Sequence, residues 1–373
     1  MPVTTCYETK IEHMQILDED GKLDTKLAKD TLSDDDVLLL YERMSFGRQL
    51  DEIAFKLQRS GRMGTYPQNK GQEAAAAGTS FALRQSDWVI PCYRENIAMY
   101  HMGLKPEMIL LHWMGDERGN QIPEDVNVTP LSVPIGTHML HAVGIAWAAK
   151  IRKEDTVVAT YFGDGATSEG DFHEAMNFAS AYKTPTVFIC QNNGWAISTP
   201  SCSQTGSETF AQKALAYGVP TIRVDGNDIF ATYKAMQVAV ERGRKDGTPS
   251  FIECQTYRFG DHTTADDARR YRDTDELEEW MKKDPLIRVR KYMESKKIWD
   301  KARQSALDEK VEAEVNAVVD RAMNIEAPSA SDFFDHMFAS IPDDLARQRD
   351  AMKTHSLGLD PAQETLRLSP THA

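Results

Sequence analysis

The chain has 373 residues, 41% of them hydrophobic, which suits a globular protein with a large core in one large domain or two ordinary ones. Forty-three Lys and Arg face 57 Asp and Glu, and the net charge of −14 has no segregated basic run, which excludes nucleic acid and anionic membranes as expected partners. Cys6, Cys92, Cys190, Cys202 and Cys254 are odd in number and form no CxxC pair, a pattern of a reducing compartment with neither a disulfide framework nor a zinc site.

Residues 1–30 read as a polar N-terminal extension. Its start is neither a secretory signal nor an Arg- and Ser-rich transit peptide, and no apolar run reaches the roughly 20 residues that span a bilayer, so a cytoplasmic protein is expected. A matrix protein whose presequence has been removed is the alternative. Ser33 then caps a helix with acids in its first turn. Val37, Leu40, Tyr41 and Met44 recur at i, i+3, i+4 and i+7, so one face of that helix, running toward Gly61, is buried. After the loop RMGTYPQNKG come a helical QEAAAAGTSFAL and a short extended DWVIPCYRE.

The centre alternates. TVVATYF is strand-like; SEGDFHEAMNFASAY is helical with Phe172, Ala175, Met176 and Ala179 on one stripe; PTVFICQNN is again a strand. A helix near 207–217, the strand TIRVDG, a helix phased on Ile229, Tyr233, Met236 and Val240, and the strand PSFIECQTYR follow. This order specifies an α/β fold, a doubly wound parallel sheet covered by helices on both faces. RFGDHTTADDARRYRDT, 258–274, is too polar for a core and reads as a surface loop. Helices continue to about 325, a Pro/Ser break leads to SDFFDHMFASI, and 353–373 read as a frayed tail, which leaves 31–352 as the α/β domain with its C-terminal helices.

Ligands of open parallel sheets sit outside the carboxyl ends of strands, where helix N-termini offer free N–H groups to phosphate. Gly163-Asp164-Gly165 ends the first central strand and Asn192-Asn193 the next, so the Asp164 carboxylate and the amide oxygen of Asn193 can meet. Hard oxygen ligands, few in number and partnered by phosphates, suit magnesium rather than zinc. Gly165 admits an anion close to the backbone, and Ala166, Thr167 and Ser168 are expected to open the following helix. A lone GDG is more often a turn, and a non-catalytic module binding a magnesium nucleotide is the competing class. No GxxxxGK[ST] or GxGxxG supports that class.

GDG, 26 residues and then NN resembles the thiamine diphosphate fingerprint. RSGR near Gly61, GQEAAAAG at 71–78, CYRE at 92–95, GNQIPEDVNV at 119–128, GDGATSEGDFHEAMNFA, QNNGWAISTP and YRFGDHTTADDARRYR extend the likeness over roughly residues 30–350. Together they resemble the alpha subunits of pyruvate and branched-chain 2-oxo acid dehydrogenases. The resemblance implies the diphosphate-binding half of a thiamine diphosphate-binding fold. It makes Asp164 and Asn193 side-chain ligands of Mg2+, with the backbone carbonyl of Trp195, where relatives often have tyrosine, as a third. Gly165 and Ala166 then lie against the cofactor, and Tyr93 and Arg94 at its diphosphate. Val133 and Ile135 match the stretch that meets the aminopyrimidine and wedges between the two rings. His262 matches a histidine that contacts the diphosphate and approaches the substrate.

Departures carry information too. His138 replaces an amide side chain with which some branched-chain enzymes build a potassium site, so potassium is not expected. Gln191 stands where some relatives have arginine, one positive charge fewer at the diphosphate. Arg258 and Asp266 are expected to help fold the polar loop, and Thr263 sits where mitochondrial relatives carry a regulatory phosphoserine. The implied reaction is oxidative decarboxylation of a small 2-oxo acid, pyruvate first and branched-chain acids next, with the acyl group passed to the lipoyl group of an acyltransferase component. In the family a glutamate of a beta subunit activates the cofactor, which implies an α2β2 heterotetramer.

Overall fold

The apolar runs of the central sequence become strands of one sheet. In chain order the strands are β1 (His13–Met14), β2 (Trp88–Ile90), β3 (Val158–Gly163), β4 (Thr186–Asn192), β5 (Trp195–Ala196), β6 (Thr199–Pro200), β7 (Thr221–Asp225) and β8 (Ser250–Gln255). β5 and β6 form a small antiparallel hairpin, and the other six pair in parallel in the order β1-β7-β8-β4-β3-β2. The structure is a computed structural model that describes residues 3–326, 329, 331–335 and 337–356.

Successive side chains on a strand point to opposite faces, and here both faces are covered. Ala159 and Tyr161 of β3, Val187 and Ile189 of β4, and Ile252 and Cys254 of β8 share a core with the helices Asp34–Arg59, Glu73–Phe81 and Ile229–Asp246. Phe162, Phe188, Cys190 and Phe251 point the other way, onto Met139, Phe172, Ala175 and Met176 of the helices His138–Arg152 and Gly170–Tyr182. That double burial is why these strands read as unbroken apolar runs rather than alternating ones. Ser33 caps the first long helix in a capping box with Asp36, and the helix ends at Arg59 before Gly61 turns left-handed at φ +73°.

Three local expectations change. The N-terminal extension enters the fold: β1 adds the edge strand beside β7, and the N–H groups of Ile16 and Leu17 donate to Asp228 Oδ2 at 2.6 and 2.7 Å. Residues 164–168 form a 3₁₀ turn, Glu169 is extended, and the α-helix begins only at Gly170, so Ala166 to Ser168 do not open it. The helix expected near 207–217 spans only Ala211–Leu215.

The chain divides into a unit ending at Ala322 and a second beginning at Met323. The second contains the helices Asp332–Asp335 and Asp343–Ser356, with Arg349 paired to Asp335 at 3.1 Å. The stretch expected to fray lies outside the described residues from 357 onward. Among the described residues no helix is long and apolar enough to cross a membrane.

Candidate cofactor site

Parallel pairing puts the carboxyl ends of β8, β4, β3 and β2 side by side, and they open onto one cavity of about 390 Å³. The two inner strand ends carry side-chain oxygens, with Asp164 directly after β3 and Asn193 directly after β4. The two outer ones supply cations, with Arg94 shortly after β2 and Arg258 shortly after β8. Tyr93, Arg94, Val133, Ile135, Asp164, Gly165, Ala166, Asn193, Trp195 and His262 all line this one space.

Asp164 is fully buried; among the described residues it forms no salt bridge, and its carboxylate accepts from two neutral donors, Gln204 Nε2 at 2.8 Å and the Asn193 N–H at 3.3 Å. Burial pushes its carboxyl upward from the ordinary range, and those two hydrogen bonds oppose the shift in part. Asn193 accepts the Trp195 N–H on Oδ1 at 3.1 Å, which leaves that oxygen a second lone pair. Among the described residues no three His, Cys, Asp or Glu side chains gather where they could hold a metal. A metal here would therefore have one carboxylate and otherwise neutral protein oxygens, a set that fits a hard cation sharing its shell with a phosphate. Gly165 approaches so closely that a Cβ there would stand 2.7 Å from that of Ala196.

The cations across the cavity also lack a direct ion pair among the described residues. Arg94 and Arg258 are 5% and 1% exposed, and neither has a carboxylate within salt-bridge distance. Arg94 donates to the carbonyls of Gln68 at 2.5 Å and His262 at 2.6 Å, and Arg258 to those of Gly260 and Ile197, both at 3.3 Å. Burial, with repulsion from Arg94 second, pushes Arg258 down to about 10. The same causes, burial first and then Arg94 and Arg258, push His262 down to about 3, so its imidazole is neutral at pH 7. Two buried cations without a direct ion pair are costly, and an anion that reaches both relieves the cost.

The polar segment 258–274 is not simply a surface loop, because Arg258, Thr264 and Ala268 are buried in it. Charge-rich sequence normally marks solvent, but here part of the charge faces the cavity. Asp266 ties the segment together by accepting the His262 N–H at 2.9 Å and the Tyr271 hydroxyl, and Arg272 donates to the Arg258 carbonyl at 2.6 Å. His138 is buried on the β3 side and donates from Nε2 to the Tyr161 carbonyl at 2.6 Å. Gln191 donates its amide to Glu95, whose carboxyl is raised by burial and also accepts the N–H groups of Cys92 and Arg94. Val133 and Ile197, both more than half exposed, form apolar parts of the cavity wall. Sequence reasoning assigned no role to Gln72, Glu95 or Gln204, although Gln72 lies in GQEAAAAG and Glu95 in CYRE; Gln204 lies in neither string and reaches the site through tertiary folding.

Comparison with known proteins gives a consistent picture. The model of the family "Dehydrogenase E1 component" matches residues 41–331. Pyruvate dehydrogenase E1 component subunit alpha of Staphylococcus aureus strain Mu50 is 41% identical over 347 residues, which cover 93% of this chain and 94% of that protein. The protein of the same name from Staphylococcus epidermidis is 42% identical with the same coverage.

Proposed function

The chain belongs to the dehydrogenase E1 component family, and we propose that it is the alpha subunit of a thiamine diphosphate-dependent pyruvate dehydrogenase, decarboxylating pyruvate and passing the acyl group to a lipoyl group. The observation that carries this reading is the charge arrangement at the strand ends: two buried guanidiniums and a buried carboxylate, none of them in a direct ion pair among the described residues. A diphosphate joined to Mg2+ satisfies both. Thiamine diphosphate supplies, when bound, a thiazolium able to stabilise the carbanion left by decarboxylation. Asp164, Asn193 and the Trp195 carbonyl hold the magnesium, and Gly165 and Ala166 let the backbone approach the phosphates. Arg94, beside Tyr93, and Arg258 balance the diphosphate charge. Val133 and Ile135 provide the apolar support for the rings. Neutral His262, whose Nδ1 already accepts from Arg94 at 3.1 Å, carries its proton on Nε2 and can donate it to a phosphate oxygen beside the substrate.

The exposed apolar wall at Val133 and Ile197 supports a site completed by a beta subunit, whose glutamate activates the cofactor, in an α2β2 heterotetramer that delivers to a lipoyl acyltransferase component. All five cysteines are free, which supports the cytoplasm as its compartment. Branched-chain 2-oxo acids are the second reading, favoured by the loop string HTTADDARRYR.

Calorimetry on the chain assembled with its beta partner tests the cofactor. Heat is expected from thiamine diphosphate with Mg2+ and none from ATP or NAD. Binding of ATP with no response to thiamine diphosphate would favour the nucleotide-binding module.

A further inference from the structure

Asp164 and Asn193 each meet one more side chain, and in both cases it is a glutamine from outside the β3–β4 unit. Gln204 ends the short helix Ser201–Gln204 that follows the β5–β6 hairpin, and it donates from Nε2 to Asp164 Oδ2 at 2.8 Å and to the Thr199 carbonyl at 3.3 Å. Gln72, fully buried just before the helix Glu73–Phe81, accepts Asn193 Nδ2 on its Oε1 at 3.0 Å and lines the cavity. The other polar atom of each amide, Gln204 Oε1 and Gln72 Nε2, is buried without a hydrogen-bond partner. Such atoms are costly to leave unmade, so each marks a place where a further polar group belongs.

We propose that Gln204 and Gln72 are positioning residues for the metal, a neutral amide clamp on each of its two side-chain ligands. Gln204 holds Oδ2 of Asp164 and thereby sets the plane of the carboxylate. Gln72 takes Nδ2 of Asn193 and thereby turns Oδ1, the atom able to ligate, to the opposite side of that amide. Neutrality is essential to the device, because a Lys or Arg at either place would neutralise Asp164 and compete with a divalent ion for it. The unpartnered atoms complete the arrangement: Gln204 Oε1 is an acceptor for a metal-bound water, and Gln72 Nε2 is a donor for a phosphate oxygen in the cavity. This inference rests on the magnesium site proposed above.

The test is a Mn2+ titration followed by electron paramagnetic resonance, using the full chain assembled with its beta partner and saturating thiamine diphosphate. Gln204→Met and Gln72→Met are each expected to weaken Mn2+ by roughly 10- to 100-fold, the usual effect of removing an outer partner of a metal ligand, and to change the line shape at saturating metal. The melting temperature without cofactor serves as the folding control. If a Met variant does not assemble, Gln204→Asn and Gln72→Asn keep the amide but withdraw it by one methylene, with the same expected weakening. Parental affinity and line shape in these variants, while Asp164→Ala loses Mn2+, would overturn the clamp and leave the metal site standing. Parental Mn2+ binding in Asp164→Ala as well would instead overturn the magnesium reading itself.

Discussion

Asp164 is a buried carboxylate held only by neutral donors, so its ligand-free state is the strained one and a cation is what it lacks. Asp164→Ala is therefore expected to leave the cofactor-free melting temperature unchanged or raised. Binding of the magnesium-diphosphate pair should weaken by about 3–5 kcal/mol, on the order of a hundredfold or more, which calorimetry on the assembled enzyme reads directly. His262 makes a pH prediction. Its folded value of about 3 lies below the ordinary value of about 6.5, so between those limits the unfolded chain takes up a proton that the native chain refuses. Stability from this group is full above about 6.5 and declines as pH falls through that window. His262→Asn should thus lose less stability than the parent between about pH 7.5 and about pH 5, read as the difference in urea midpoints; equal losses would show that the imidazole carries no such burden. At this scale the residues that sat in motifs, Asp164, Asn193 and Arg94, come together at one cavity. Sequence reading assigned no role to Gln72, although GQEAAAAG contains it, or to Gln204, and these lie 121 and 40 positions from Asn193 and Asp164 with no periodicity to link them.

The segment 258–274 has a different character from the helices around it. Asp266 gathers the His262 N–H and the Tyr271 hydroxyl, Asp261 accepts the Ala268 N–H at 2.8 Å, and little apolar surface supports these polar ties. Such segments open at low free-energy cost. Trypsin should enter at Arg269 and Arg270, which are exposed, rather than at Arg258, which is buried. Cleavage is expected to be fast without cofactor, slower with magnesium and thiamine diphosphate, and fast under both conditions in Asp266→Ala. Equal rates with and without cofactor in the parent would sink the idea that the diphosphate orders the loop. The long elements were legible because each carries many residues of one period: the helix Asp34–Arg59 buries Val37, Leu40, Tyr41 and Met44, and β3, β4 and β8 are apolar on both faces. The two-residue β1 was not, since His13 and Met14 contain no pattern, and the backbone contacts of Ile16 and Leu17 with Asp228 span more than 200 positions. Nor was the 3₁₀ turn at 164–168, because GDGATS and the helix after it are separated only by the extended Glu169.

For the whole molecule, the expectation is that the chain alone has negligible activity and that adding the beta subunit restores dye reduction with pyruvate. Robust turnover by the chain alone, with beta contamination excluded, would remove the division of labour between two subunits. The parallel α/β plan followed from the alternation of apolar strands and amphipathic helices, and the place of the site followed from that plan; the order β1-β7-β8-β4-β3-β2 did not, because pairing between distant strands leaves no local trace. That order has a thermodynamic consequence. Since the inner strand ends carry Asp164 and the outer ones Arg94 and Arg258, on the proposed reading a divalent ion alone would meet the repulsion of Arg94 and Arg258, and a bare diphosphate that of Asp164 and Glu95. Each ligand prepares the field for the other. Their affinities are thus expected to be linked reciprocally, which would make the cavity a coincidence detector that fills when both are present and discriminates against either one by itself.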